Sequence, residues 1–430
     1  MDLSIGRRYW AVLGATIAVA MFVIGSGGAA AHPISALRGG VSSPEPSASF
    51  PVKTVTVGKN PVATLFDPKN GDLYVTNSNS SSVSVIDGAT NKVTKTISVG
   101  ADPTGAGYDS TNGDVYVISQ TAATVTVISN SNVVVKTISV DPEPVAGLIA
   151  PSGNVYVTCR GTVVTTDGDL AVINESTNDV KELTIGKDSG APYYDPASQD
   201  VDVPNLLSSN VSAVSSALTV TTISLGSGAD PIAMAYSPTT KDMYVTLPGS
   251  LEIDAISSAN KIVATISDPE KPFLPTYDSV NGDLYVPDGA WPTSGNLTII
   301  SSSNKVLETI KTSVPTDPLG FLDTTNGDYY LASSSGSELV FNSDSTPSLA
   351  TTLTIGVEPT FVTFSSATHD VYILMFDGTA KAGSVHIYSS SNSLLSTVKV
   401  GDGGLTVTYD STNGDVYVAN FGTDTVSVIT

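Results

Sequence analysis

The chain of 430 residues carries a single cysteine, three histidines, two tryptophans and only 14% charged residues. One cysteine, Cys159, excludes an internal disulfide framework. Its alternatives are a small buried side chain or a lone reactive thiol. The histidines, His32, His369 and His386, show no metal-ligand spacing, so a His-based zinc or haem centre has no support in the sequence. Nothing matches a Gly-x-Ser-x-Gly elbow, a phosphate-binding loop or a Cys-x-x-Cys pair. Basic residues are scarce, 19 against 41 acidic, giving a net charge of −22. Such an acidic chain is a poor partner for nucleic acid. No helical period is found beyond the first thirty residues.

At the N-terminus, Arg7 and Arg8 precede an apolar stretch over 9–24 and then small residues over 25–31. A positive flank, a short apolar core and small residues before His32 are the marks of a secretory signal, with cleavage expected near Ala31. A retained membrane anchor is the alternative, because the stretch approaches spanning length. The following 32–50 are rich in Ser, Pro and Gly and read as a flexible spacer.

From 51 to 430 one unit repeats nine times, every 40 to 46 residues. Its marker is Tyr74, Tyr116, Tyr156, a degenerate match at Asp202, then Tyr244, Tyr285, Tyr330, Tyr372 and Tyr417. A proline precedes the marker in most units, at Pro61, Pro103, Pro144, Pro231, Pro272, Pro318 and Pro359. Each unit reads as four short strands separated by turn chemistry, with Asn-Gly at hairpins such as Asn70-Gly71 and Asn413-Gly414. The chain stops after the third strand of the last unit, and 52–58 parallels the missing fourth strand. The expected fold is therefore all-β: a single closed propeller of nine four-stranded blades, its N-terminal strand completing the last blade. Propellers typically have about four to eight blades, so an eight-bladed ring that expels the degenerate fourth unit is the alternative.

Three sets of residues could carry function. Asp-x-x-Asn-Gly-Asp loops recur at 67–72, 109–114, 278–283, 323–328 and 410–415. Carboxylates around a Gly turn suit Ca2+, but the simpler reading has the first Asp capping the turn and the last facing solvent. In a propeller, connections between blades share one rim at the channel mouth. That rim carries Asp102, Asp141, Glu143, Asp188, Asp230, Asp268, Glu270, Asp317, Glu358 and Asp402, opposed by Lys59, Lys187 and Lys271. It is either a divalent-cation site, with Ca2+ as the candidate, or an acidic solvated edge. Four sequons, Asn79, Asn174, Asn210 and Asn296, are glycosylation candidates in or near expected loops. The most irregular loops, 247–251, 288–296 and 376–383, are candidate binding surfaces. The repeated tyrosine is expected to fill the space between blades.

The unit resembles the YVTN β-propeller repeat of archaeal surface-layer and related bacterial exported proteins. The likeness is carried by Asn70-Gly71-Asp72-Leu73-Tyr74-Val75-Thr76-Asn77, Val83-Ser84-Val85-Ile86-Asp87 and Thr96-Ile97-Ser98-Val99-Gly100, and again by 415–420 and 425–429. It implies an exported, cell-surface or envelope-associated protein acting as a non-catalytic binding or structural module, with an envelope protein or glycan as partner. Related propellers include streptogramin lyases and lactonases, so a metal-dependent lyase or lactonase using channel-mouth carboxylates is one alternative. A soluble exported assembly or carrier factor is another. The departures from the repeat are Asp202 for Tyr, Cys159-Arg160 where Asn would stand, and nine units.

Overall fold

Val, Ile, Thr and Tyr fit a pleated, half-buried surface, and Asn-Gly supplies the positive φ that a tight hairpin needs. The first unit accordingly forms an antiparallel meander, Pro61–Asp67, Asp72–Asn77, Ser82–Asp87 and Lys92–Ser98, from the channel outward. The computed structural model describes residues 22–24, 49–161, 167–290, 294–312, 314, 320–323, 327–333, 335–342, 348–355, 358–376 and 383–430. Over these residues the meander recurs in nine sheets, one per unit, and helix is limited to the single turn Ser78–Ser80. Phe22–Ile24 adds a parallel pairing along the inner strand of blade 3, Pro144–Ile149.

The ring closes as the repeat requires. Gly404–Tyr409, Val416–Asn420 and Thr425–Ile429 form three strands of blade 9, and Val52–Thr56 supplies the fourth, with Val52 opposite Ile429 and Thr56 opposite Thr425. Two edges that would otherwise be open are thereby paired. The fourth unit is not expelled: Tyr193–Tyr194, Val201–Asn205, Asn210–Val214 and Val220–Ser224 make a sheet of their own.

Burial lies between blades. Tyr74, Val83, Val85 and Ile97 of blade 1 pack against Tyr108, Val115, Val117 and Ile128 of blade 2. The closing interface joins Leu73, Val75 and Ile86 to Val55, Tyr417, Val426 and Val428. Each such side chain taken wholly from water contributes about 1.5–3 kcal/mol. The marker tyrosines fill these interfaces as expected, with Tyr74, Tyr116, Tyr285, Tyr330 and Tyr417 all 0% exposed.

Polar contacts lock the same interfaces. The Tyr74 hydroxyl donates to Asn132 Oδ1 (2.5 Å) in the outer turn of the next blade, and Asn132 Nδ2 returns a bond to Asp72 (2.7 Å). Tyr330, Asn392 and Asp328 repeat the clasp between blades 7 and 8, and Tyr417, Asn91 and Asp415 repeat it across the ring closure. The outer-turn Asn has a positive φ in each case, 60° at Asn132, 61° at Asn392 and 55° at Asn91. Asn tolerates this left-handed conformation better than other side chains. At the opposite end of the second strand, Asn205 and Asn420 donate to Ser212 (2.9 Å) and Ser427 (3.0 Å). The preceding blade passes so close that a Cβ at Gly186 or Gly401 would lie 2.6 or 2.7 Å from the Asn side chain, so only glycine fits.

The clasp has a measurable weight. Tyr417→Phe removes the bond donated to Asn91 and the weaker one accepted from Asn413, and is expected to cost about 1–1.5 kcal/mol in denaturant unfolding. Asn91→Ala removes both bonds and places alanine in the left-handed region, for about 2–3 kcal/mol. Equal effects of the two substitutions would show that the clasp is incidental to packing.

Candidate functional site

The ring has two unlike faces. One, the turn face, carries the hairpins between first and second and between third and fourth strands, and hence the clasps. The other, the mouth face, carries the connections between blades and the hairpins between second and third strands.

On the turn face the Asp-x-x-Asn-Gly-Asp loops follow the turn-capping reading. Oδ1 of Asp67, Asp109, Asp278 and Asp410 accepts the backbone N–H two residues on, at 2.7–2.8 Å. The Asn side chain does the same for the last Asp, as at Asn70 Oδ1 to Asp72 N (2.8 Å). One part of the expectation is corrected. The last Asp does not simply face solvent, since Asp72, Asp328 and Asp415 receive the Asn amide of the neighbouring blade.

On the mouth face, Asn60, Asp102, Glu143, Asp188 and Asp230 share one backbone role. All have φ between 51° and 58°, and Gly403 takes the same position in blade 9 at 65°. Except at Asp230, where the equivalent donor position is Pro248, the carbonyl of this residue accepts an N–H from the hairpin of the blade it enters, as in Gln120 N to Asp102 O (2.9 Å) and Leu206 N to Asp188 O (3.1 Å). Asp recurs here because the left-handed turn favours Asx and Gly. Asp141 and Asp402 lie one or two residues earlier on equivalent connections, and Glu358 begins the inner strand of blade 8. Asp317 lies outside the described residues.

Two rim residues are not what the sequence suggested. Asp268 is 4% exposed and packs beneath the rim against Asp288, so it is no part of an open acidic edge. Arg160 is a rim cation that sequence reading overlooked: its Nε donates to Ser189 O (3.3 Å) and lies 3.4 Å from Asp188 Oδ1. Burial raises the Asp188 carboxyl and Arg160 opposes the rise. Asp230 is likewise raised by burial and lowered by Lys271. Among the described residues, no three of His, Cys, Asp and Glu converge to hold a metal ion.

The mouth face is uneven around the ring. Inner strands are long in blades 1, 2, 3, 8 and 9, for example Pro61–Asp67 and Glu358–Phe364. In blades 4 to 6 they shrink to Tyr193–Tyr194, Ala233–Ser237 and Thr276–Tyr277. Each shortened strand begins late, at its mouth end. Segments such as 189–192 and 271–275 run there instead, tied by single bonds like Gly190 N to Pro204 O (2.8 Å) and Phe273 N to Pro287 O (3.0 Å). The charges Arg160, Asp188, Lys187, Asp230 and Lys271 stand on this sector.

The remaining candidates separate by burial. Asn79 and Asn174 are exposed, whereas Asn210 is half-buried and accepts from Asn205 (2.8 Å). Asn296 is 8% exposed within the strand Ser294–Ile300, where the folded sheet leaves no room for a glycan. The expected loop over 288–296 is for the most part a lengthened hairpin, with 290 pairing 294. The segment 247–251 is a turn after Asp242–Leu247, and 377–382 lie outside the described residues. Cys159 is wholly buried, and burial raises its thiol, so it behaves as a small core side chain.

No family model matches the chain. No curated protein matches it. Among solved structures, a dihydro-heme d1 dehydrogenase, NirN, in complex with DHE is similar at TM-score 0.61 and 15% identity, over 79% of this chain and 75% of that one. A eukaryotic initiation factor is similar at TM-score 0.58 and 12% identity, over 79% and 87%. Virginiamycin B lyase from Staphylococcus aureus matches at TM-score 0.45 and 12% identity over 66% and 96%, too loosely to bear on function. Such neighbours, an enzyme and an initiation factor among them, show the β-propeller fold and nothing finer.

Buried acids give the site region its pH dependence. Asp202 stands where other blades have tyrosine, is 1% exposed, and is held well above the usual carboxylate range by burial and then by Asp195 and Asp200. Burial likewise raises Asp67, Asp242 and Asp254. The folded state thus binds protons that the unfolded chain releases. The associated stability is complete below the unfolded carboxylate range and is lost as pH climbs through the folded values. The melting temperature is expected to rise between about pH 8 and about pH 5, and Asp202→Asn to flatten part of that slope. A protein more stable at the higher pH would contradict these assignments.

Proposed function

We propose that this chain is an exported, surface-associated propeller of the YVTN type, acting without catalysis as a binding or structural module of the cell envelope, with the mouth face of blades 4 to 6 as its contact surface. The observation that carries the reading is the contrast between faces. On the turn face, inter-blade clasps recur on both sides of the ring, whereas on the mouth face regular pairing is relaxed over three adjoining blades. Loops held on a rigid scaffold are where binding usually resides. The N-terminal apolar stretch and the Ser/Pro/Gly-rich spacer support export, and the YVTN-like units support a surface role.

The test is binding of purified 49–430 to envelopes of its source cells. Lys187→Glu with Lys271→Glu, on the proposed face, is expected to weaken binding by about ten-fold or more. Lys92→Glu, at the turn face, is expected to leave it unchanged, as is a chelator. Equal loss from both faces would reject the assigned surface, and loss on chelation would favour the metal-dependent alternative.

A further inference from the structure

At the interface of blades 3 and 4, two polar members of the clasp are replaced together. Aspartate stands two residues before the marker in the other eight units, as at Asp72 and Asp415, and the third unit has Asn154. The outer turn carries a left-handed asparagine at Asn91, Asn132, Asn178, Asn260, Asn304 and Asn392, and blade 4 has Leu218 there, with φ 57°. A bulky side chain rarely adopts this conformation, and such departures cluster where a fold serves a ligand. Tyr156 keeps its place between the blades, 3% exposed and packed with Leu183 and Val203. The apolar packing is therefore retained, while Leu218 has no polar atom with which to bridge Tyr156 and Asn154.

A cavity of about 300 Å³ lies where the bridge would be, on the turn face between the outer turn of blade 3 and Leu218. Val172, Val180 and Leu218 make one side of it apolar. Asn154, Asn174 and Thr177 supply two amides and a hydroxyl. The Asn174 side chain is held in place, its Oδ1 accepting from Ser176 N and Thr177 N (3.0 Å each). Asp179 and Lys181 add one charge of each sign. The neighbouring acid Glu175 is turned away and accepts from Thr111 of blade 2 (2.7 Å).

These properties narrow the ligand. The volume is at the lower end for small-molecule sites and holds one small ring. No aromatic side chain is among the described residues that line it, so a planar ligand has nothing to stack on. The balanced charges select neither an anion nor a cation. A sugar ring fits on both counts, because it presents an apolar C–H face and hydroxyls that both donate and accept, as side-chain amides do. We propose that the cavity between blades 3 and 4 binds one monosaccharide unit of a neutral glycan, its C–H face against Val180 and Leu218 and its hydroxyls on Asn154, Asp179 and Lys181. The site is on the turn face, apart from the contact surface on the mouth face, and does not rest on it.

Saturation-transfer difference NMR tests the site with the methyl glycosides of glucose, galactose, mannose and N-acetylglucosamine. The protein is made without a glycosylation system, so that Asn174 is unmodified. Saturable transfer to at least one glycoside is expected, with a dissociation constant of about 1–10 mM. Asn154→Asp with Leu218→Asn restores the residues of the other blades and rebuilds the clasp in the cavity. This pair is expected to weaken binding about ten-fold or more and to raise the melting temperature. Asp179→Ala with Lys181→Ala, both exposed, is expected to weaken binding about ten-fold and keeps the site testable should the first pair misfold. No saturable transfer from any of the four up to about 100 mM, or transfer to both double variants equal to that of the wild type, would overturn the proposal.

Discussion

The structure depends on one pairing, that of Val52–Thr56 with Thr425–Ile429. A four-stranded meander has two faces to cover and cannot bury both alone, so each blade needs two neighbours. Eight of the nine interfaces join units consecutive in sequence. The ninth must join residues at opposite ends of the chain, and it forms only if a strand from the N-terminal side completes the last sheet. Val55, Tyr417, Val426 and Val428 then close against Leu73, Val75 and Ile86 as any other pair of blades would.

From closure follows the division of labour between faces. Clasps at the turn face tie neighbours together through a buried tyrosine, a left-handed asparagine and a capped aspartate. Because such clasps secure both the closure and the far side of the ring, the mouth face is free to depart from the repeat. It does so in blades 4 to 6, where inner strands are cut short and charged residues collect. Rigidity on one side and relaxed pairing on the other is the arrangement expected of a scaffold presenting a contact surface.

Much of this was legible in the chain. The tyrosine period gave the blade number, and the likeness of 52–58 to 94–100 gave the closing strand, because both are set by local pattern. The first Asp of the turn loops was legible for the same reason. The outer-turn asparagines were not recognised, although Asn91, Asn132, Asn260, Asn304 and Asn392 stand one or two residues before the outer strand. Their role appears only when the neighbouring tyrosine is brought alongside. The rim acids were misleading because sequence cannot separate an aspartate chosen for its backbone conformation from one chosen for its charge. Asn296 reads as a loop residue until the hairpin around it is seen to continue.

The closed ring is tested most directly by joining its ends. Thr56 and Thr425 stand opposite each other across the closing pair. Thr56→Cys with Thr425→Cys places two thiols within disulfide reach of one another, while Cys159 is buried and stays out of the reaction. A closed propeller predicts that oxidation yields one intramolecular disulfide in monomeric protein, with a higher melting temperature than the reduced form. Two free thiols after oxidation, or disulfides only between molecules, would contradict it.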